Sequence, residues 1–222
     1  MKRQTKDALY EQFSRATKAL SSPKRIEILE LLGQSEKTVE TIADQAHLGL
    51  KNASAQLKEL RSALLVDSRR DGKYVYYRIA NAAVASFLLG IRTFGETHFA
   101  EIQKIAADAF DESESMEPIN RKHLLARARK GDVILLDVRP RDEYDHAHLP
   151  FAVSVPVSDL RNELKNLPKN KEIVAYCRGP YCFFAKEAVE LLKKNGFKAS
   201  RLKDSVHEWA SNGLPVETQA SV

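Results

Sequence analysis

The chain has two cysteines in 222 residues, and none before Cys177. That is too few for the multi-bridge framework that staples small secreted domains, so the two thiols are read as reactive groups in a reducing compartment. Long apolar runs are also missing, and nothing approaches the ~20 residues needed to span a bilayer. The amino terminus, MKRQTKDALYEQF, is charged and helix-like without an apolar signal core, so the chain is expected in the cytoplasm, away from membranes. A strong excess of one sign of charge is missing too. The net charge is +5, with 17 Lys and Arg against 13 Asp and Glu in residues 1–110, none against 4 in residues 111–117, and 18 against 13 in residues 118–222. Moderate positive charge on both halves permits nucleic-acid binding without requiring it.

What is present begins with the two cysteines. Ile173, Val174, Ala175 and Tyr176 form a short apolar run, bounded by charge on one side and by Gly179-Pro180 on the other, which reads as a buried strand. From Phe183 a helical pattern places Ala185, Ala188, Val189, Leu191 and Leu192 on one face. Cys177 therefore stands where a strand ends and Cys182 where a helix begins. The unpaired amides of a first helical turn favour an anion, and Arg178 adds a neighbouring positive charge, so a thiolate at Cys177 is expected to be stabilised. Cys182 either caps the loop as a small apolar residue or attacks an oxidised or persulfidated Cys177, giving a disulfide or polysulfide bridge.

On these residues the second half resembles a rhodanese (sulfurtransferase) domain, in which a persulfide-bearing cysteine ends a strand and heads a six-residue loop entering a helix. Leu135-Leu136-Asp137-Val138-Arg139, Glu143-Tyr144, His146-Ala147-His148-Leu149-Pro150 and Ala152 are similar to the family's first segment. Glu208-Trp209 and Gly213-Leu214-Pro215-Val216 are similar to its carboxy-terminal signature. Two departures stand out. The sixth loop position, often basic or hydroxylated in the family, is Cys182, and the arginine of a Cys-x5-Arg phosphatase loop is replaced by Phe183, which argues against phosphatase or arsenate reductase activity. Asp137 and Arg139 are expected to brace the loop by hydrogen bonds and an ion pair with Glu143, and His146 and His148 to be structural.

The first half reads differently. Leu9, Phe13, Ala16 and Leu20 make an apolar stripe on a first helix. Ser21-Ser22-Pro23 opens a second, which carries Ile26, Ile28, Leu29, Leu31 and Leu32 and is expected to end at Gly33. Thr38 caps a third, with Val39, Ile42, Ala43 and Ala46 inward, and a turn at His47-Leu48-Gly49-Leu50 leads to a fourth over Lys51–Ala63. The fourth turns Ala53, Leu57, Leu60 and Leu64 inward, and presents Asn52, Ser54, Gln56, Lys58 and Arg61 outward. Asn and Gln match adenine edges, Ser either base type, and Arg guanine or phosphate, so this is a helix-turn-helix with a reading helix. Two strand-like runs then flank Asp71-Gly72, a hairpin signal, with Arg69, Arg70 and Lys73 at its tip as a basic wing.

From Ala19 to Leu29, from Ser54 to Leu60 and from Gly72 to Arg78 this half resembles the ArsR family of small dimeric repressors. The resemblance places Ser54 and Gln56 in the major groove. The family's metal-sensing cysteine pair, near Glu40 to Asp44, has no counterpart here, and His98 with Glu101 lacks the further ligands a metal needs. A stripe of Val84, Phe87, Leu88, Ile91, Phe94, Ile102 and Ile105 predicts one long helix from Ala82 to Phe110. With the first helix it is expected to form a homodimer interface, and a two-fold dimer reads an imperfect palindrome of double-stranded DNA.

The expected organisation is thus an α+β winged helix-turn-helix domain with a long dimerisation helix over residues 1–110, an acidic linker over 111–117, and an α/β domain with a mainly parallel sheet over 118–222, where helical and strand patterns alternate. No metal or cofactor is expected. The function expected from the pair is transcriptional regulation, with Cys177, Arg178 and Cys182 responding to a sulfane-sulfur donor or another thiol-reactive small molecule. The alternatives are a working sulfurtransferase carried to DNA by its fused half, and an inert module that only steadies a dimer.

Overall fold

The computed structural model describes residues 2–110 and 120–218. The acidic linker expected at 111–117 lies outside the described residues. The chain packs as two compact units, Met1–Phe94 and Gly95–Val222.

The first unit opens with α1 (Lys2–Ala19) and α2 (Pro23–Gln34), the latter preceded by Ser22 and started by Pro23, whose missing amide costs nothing at a first helical position. It runs one residue past Gly33, where the helix was expected to stop. A short strand β1 (Lys37–Thr38) leads into α3 (Val39–Gln45), capped by the Thr38 hydroxyl accepting from the Thr41 amide at 3.3 Å. Helix α4 (Leu50–Ser62) follows. Strands β2 (Val66–Asp71) and β3 (Tyr74–Ile79) pair antiparallel from Val66 opposite Ile79 to Asp71 opposite Tyr74, and β1 adds to the far side of β3. The turn is therefore Gly72-Lys73, one residue later than the Asp71-Gly72 expected, and Gly72 supplies the positive φ of +58° that a two-residue turn demands. Ile28, Leu29, Ile42, Leu57 and Leu60 are fully buried in one core, each contributing roughly 1.5–3 kcal/mol.

The single long helix expected from Ala82 to Phe110 is two. Helix α5 (Ala82–His98) ends before Phe99, which is extended, and α6 (Ala100–Ala109) begins after it. The reversal depends on Gly95: a Cβ there would lie 3.0 Å from Ile102 Cδ1 and 3.7 Å from the Phe99 ring. Ile102 packs into the space that a side chain at position 95 would claim.

In the second unit, α7 (Arg121–Lys130) is capped by the Asn120 side chain and ends at Gly131 in the left-handed region. Strand β4 (Val133–Asp137), α8 (Arg141–His146), β5 (Val153–Ser154), α9 (Leu160–Glu163) and β6 (Glu172–Tyr176) follow, then α10 (Phe183–Lys194), β7 (Ala199–Arg201) and α11 (Val206–Ser211). The sheet is parallel throughout, in the order β5-β4-β6-β7. Its two faces bury separate clusters, one of Val189, Leu192 and Phe197 under α10, the other of Leu124, Leu149 and Trp209. Strands covered on both faces are continuously apolar, as Ile173 to Tyr176 are. Central β6 ends at the sheet edge where open parallel sheets hold their ligands, and Cys177 comes next.

Candidate functional site

On the first unit, α4 buries Ala53, Leu57 and Leu60 and exposes Asn52, Ser54, Lys58 and Arg61. Positions 54, 58 and 61 follow the i, i+4, i+7 spacing of one helix face. Gln56 is half-buried and already engaged: its amide donates to Asn52 Oδ1 at 2.9 Å and its carbonyl accepts from Arg25 Nη1 at 3.2 Å. Arg25, on α2, escaped the sequence reading, because its link to α4 spans 31 residues. A fixed amide presents its remaining donor and acceptor sites in one orientation, which suits base recognition.

The three cations assigned to the wing divide. Arg70 and Lys73 are exposed, Arg70 Nε donating to the Gly72 carbonyl at 3.3 Å and Lys73 lying over the Tyr74 ring. Arg69 is held by Glu36 through a forked pair and by Asp71 at 3.2 Å, and lies over Tyr76. Hydrogen bonds that it donates to Glu36 and then to Asp71 raise its pKa further, so it stays charged while its charge is locally offset. Position along the chain placed it at a basic tip; its neighbours make it a clasp between β2 and the segment before β1.

On the second unit, Cys177 and Cys182 are disulfide-bonded, with Cα atoms 6.2 Å apart. Cys177 is 1 % exposed, whereas Cys182, which caps α10, is half-buried. The loop closes tightly through Gly179, at φ +139°, whose carbonyl accepts from the Cys182 amide at 3.3 Å. The more exposed Cys182 sulfur is therefore the side from which a nucleophile reaches the bond, with Cys177 as the departing thiolate.

Two buried ion pairs sit behind the loop. Arg139 is locked to Asp137 by bonds of 2.7 and 3.0 Å and also donates to the Ala147 carbonyl at 2.7 Å. Burial works against the Arg139 charge, but its hydrogen bonds to Asp137 and the charge of that carboxylate, with a smaller contribution from Glu143, more than compensate, and its pKa is raised. Arg178, next to Cys177 in sequence, is paired with fully buried Glu143 at 2.6 and 3.0 Å and covers the Phe184 ring. The Tyr176 hydroxyl accepts from the Leu149 amide at 3.1 Å, and burial, then the Asp137 charge, pushes its pKa well up, so it stays neutral. Arg201, at the end of β7, donates to the Pro180 carbonyl at 2.5 Å. Its only local signal was its place at the carboxyl end of a strand.

His148 donates through Nδ1 to the Tyr144 carbonyl at 2.8 Å and stacks on the Tyr144 ring at 3.8 Å, a packing role. His146 is exposed. Among the described residues no three His, Cys, Asp or Glu gather as metal ligands, and no helix is long and apolar enough to cross a membrane.

Comparison with known proteins matches residues 22–68 to the profile "Bacterial regulatory protein, arsR family" and residues 120–212 to "Rhodanese-like domain". The HTH-type transcriptional regulator Rv0324 of Mycobacterium tuberculosis is 41% identical over 217 residues, 98% of this chain and 95% of that protein. A sulfurtransferase of Allochromatium vinosum is 28% identical over 86 residues, 38% of this chain and 78% of its own. Among solved structures, the homodimeric winged helix-turn-helix DNA-binding domain of Mb0332 from Mycobacterium bovis is 41% identical, covering 42% of this chain and 87% of that one with a TM-score of 0.41.

Proposed function

Because this chain belongs to the ArsR family of HTH-type transcriptional regulators and carries a rhodanese-like domain, we propose that it is a dimeric repressor whose affinity for its operator is set by sulfur chemistry at Cys177 and Cys182. The observation that carries this reading is the bond between the two thiols at the mouth of α10. In the proposed cycle the Cys177 thiolate attacks the outer sulfur of a persulfide or polysulfide donor, taking that sulfur and releasing the donor as a thiolate. The Cys182 thiolate then attacks Cys177 Sγ, forming the disulfide and expelling hydrosulfide. Two equivalents of a small thiol return both cysteines to thiols and leave as a disulfide.

Exposed Leu9, Tyr10 and Phe13 on α1, with Phe87 and Phe94 on α5, support a second copy as the partner that covers them. The dimer then presents two α4 helices to half-sites about one helical turn apart. A hundredfold release from DNA needs a coupling of about 2.7 kcal/mol, within the range of known couplings.

Mass spectrometry of reduced, polysulfide-treated full-length protein tests the chemistry. Wild type should lose two hydrogens by forming the Cys177–Cys182 bond, while Cys182→Ser should gain one sulfur at Cys177. Unmodified Cys177 in both would remove the reading. The likeness to the Allochromatium sulfurtransferase favours a second reading, in which the domain turns over. Saturable transfer from thiosulfate to a thiol acceptor, lost in Cys177→Ser, would establish it.

A further inference from the structure

The residues between α5 and the rhodanese-like sheet touch the cysteine loop at several points, all within the second compact unit. Phe110, which follows α6, is buried with its ring centroid 4.9 Å from that of Phe183 and 6.5 Å from that of Tyr181. Those two residues flank Cys182 directly. The Tyr181 hydroxyl donates to Glu96 Oε1 at 2.8 Å, and Glu96 lies on the last turn of α5. Lys186 Nζ, on α10, donates to the carbonyl of Ala109, the last residue of α6, at 2.8 Å. Arg201 completes the contact, its guanidinium 4.6 Å from the Phe110 ring centre while it donates to Pro180 inside the loop.

Helix α5 thus has two attachments. Its earlier turns supply Val84, Leu88 and Ile91 to the core of the first unit, and its final turn is bonded to the cysteine loop. We propose that Phe110, Tyr181 and Phe183 form a redox-read latch: the Cys177–Cys182 bond holds Tyr181 and Phe183 against Phe110 and Glu96, and its reduction releases the end of α5 and α6 from the loop. In that step two thiols of a small reductant supply two electrons and two protons, the S–S bond breaks, two cysteine thiols form, and the reductant leaves as its own disulfide. The bond closes the segment from Cys177 to Cys182 into a covalent ring, with Tyr181 inside it and Phe183 next to it. Opening the ring returns rotational freedom to the residues that bear the latch. This deepens the sensor reading above, on which it rests for its biological use, by assigning the route along which the loop acts on a helix of the DNA-binding half.

The test is hydrogen exchange of full-length protein in its disulfide form and after reduction with dithiothreitol, read over residues 96–110. Wild-type α6 amides should exchange at least about fivefold faster once reduced. Phe110→Ala should bring that ratio towards one. Lys186→Met, a substitution on a half-buried face that leaves the core intact, should reduce it as well. Equal exchange in the two wild-type forms, or an undiminished ratio in both variants, would overturn the latch. DNA affinity measured on the same samples separates the two ideas. An α6 response without any change in DNA affinity keeps the latch and removes the sensor role, whereas redox-dependent affinity with an unresponsive α6 overturns the latch and leaves the sensor role standing.

Discussion

Arg178 and Glu143 meet in a two-pronged pair at 2.6 and 3.0 Å, with the carboxylate fully buried and the guanidinium next to Cys177 in sequence. The pair ties the cysteine loop to α8. Glu143→Gln leaves a mostly buried cation without its counter-charge, and is expected to cost about 3–5 kcal/mol of stability. Denaturant unfolding followed by the fluorescence of Trp209, the chain's one tryptophan, reads this domain directly. A loss under about 1 kcal/mol would show the pair to be water-screened.

Residues on α4 and the wing that are proposed to read bases should separate by salt from those proposed to bind phosphate. Ser54→Ala and Gln56→Ala are expected to cost about 1–3 kcal/mol each on the operator and little on random DNA. Lys58→Ala, Arg61→Ala, Arg70→Ala and Lys73→Ala should each lower the slope of log affinity against log salt by about 1 on any sequence. Arg69→Ala should change that slope less, because Glu36 and Asp71 already engage its charge, and should instead loosen β2. Equal slopes for Arg69→Ala and Arg70→Ala would contradict the clasp.

The exposed stripe on α1 predicts its own failure mode. Phe13 is 73% exposed within one chain. Phe13→Asp is expected to shift the protein from dimer to monomer by sedimentation equilibrium and to weaken operator binding at least about tenfold, since one reading helix then acts alone. An unchanged dimer would place the interface elsewhere.

Gly95→Val tests the reversal between α5 and α6. A branched side chain collides with Ile102, whose Cδ1 would be 3.0 Å from the first added carbon. Overpacking of this kind costs about 1–3 kcal/mol, and α6 amides should lose protection while those of α10 keep theirs. Protection unchanged in α6 would mean that Ile102 simply moves aside.

The same reversal shows where sequence stops being legible. Apolar periodicity located α2, α3 and α4, and the pattern before and after the cysteines located β6 and α10, because in each case the signal is local. Ile102 and Ile105 continue the register of Phe94, so periodicity alone carries one helix through Phe99; the break rests on the fit of Ile102 over Gly95. Arg178 was legible as a cation beside a thiol, but its partner lies 35 residues away. Tyr181 and Glu96 are separated by 85 residues and Phe110 and Phe183 by a comparable span, so only packing brings them together. The type of each element was written locally, and the wiring between elements was not.

The most direct test of the central claim is fluorescence anisotropy on DNA from the gene's own upstream region, at one fixed salt concentration, with protein reduced and then treated with polysulfide, and Cys177→Ser alongside. Treatment is expected to weaken wild-type binding at least about tenfold, a coupling of about 1.4 kcal/mol, and to leave Cys177→Ser unchanged. Equal affinity of both proteins in both states would contradict regulation through Cys177.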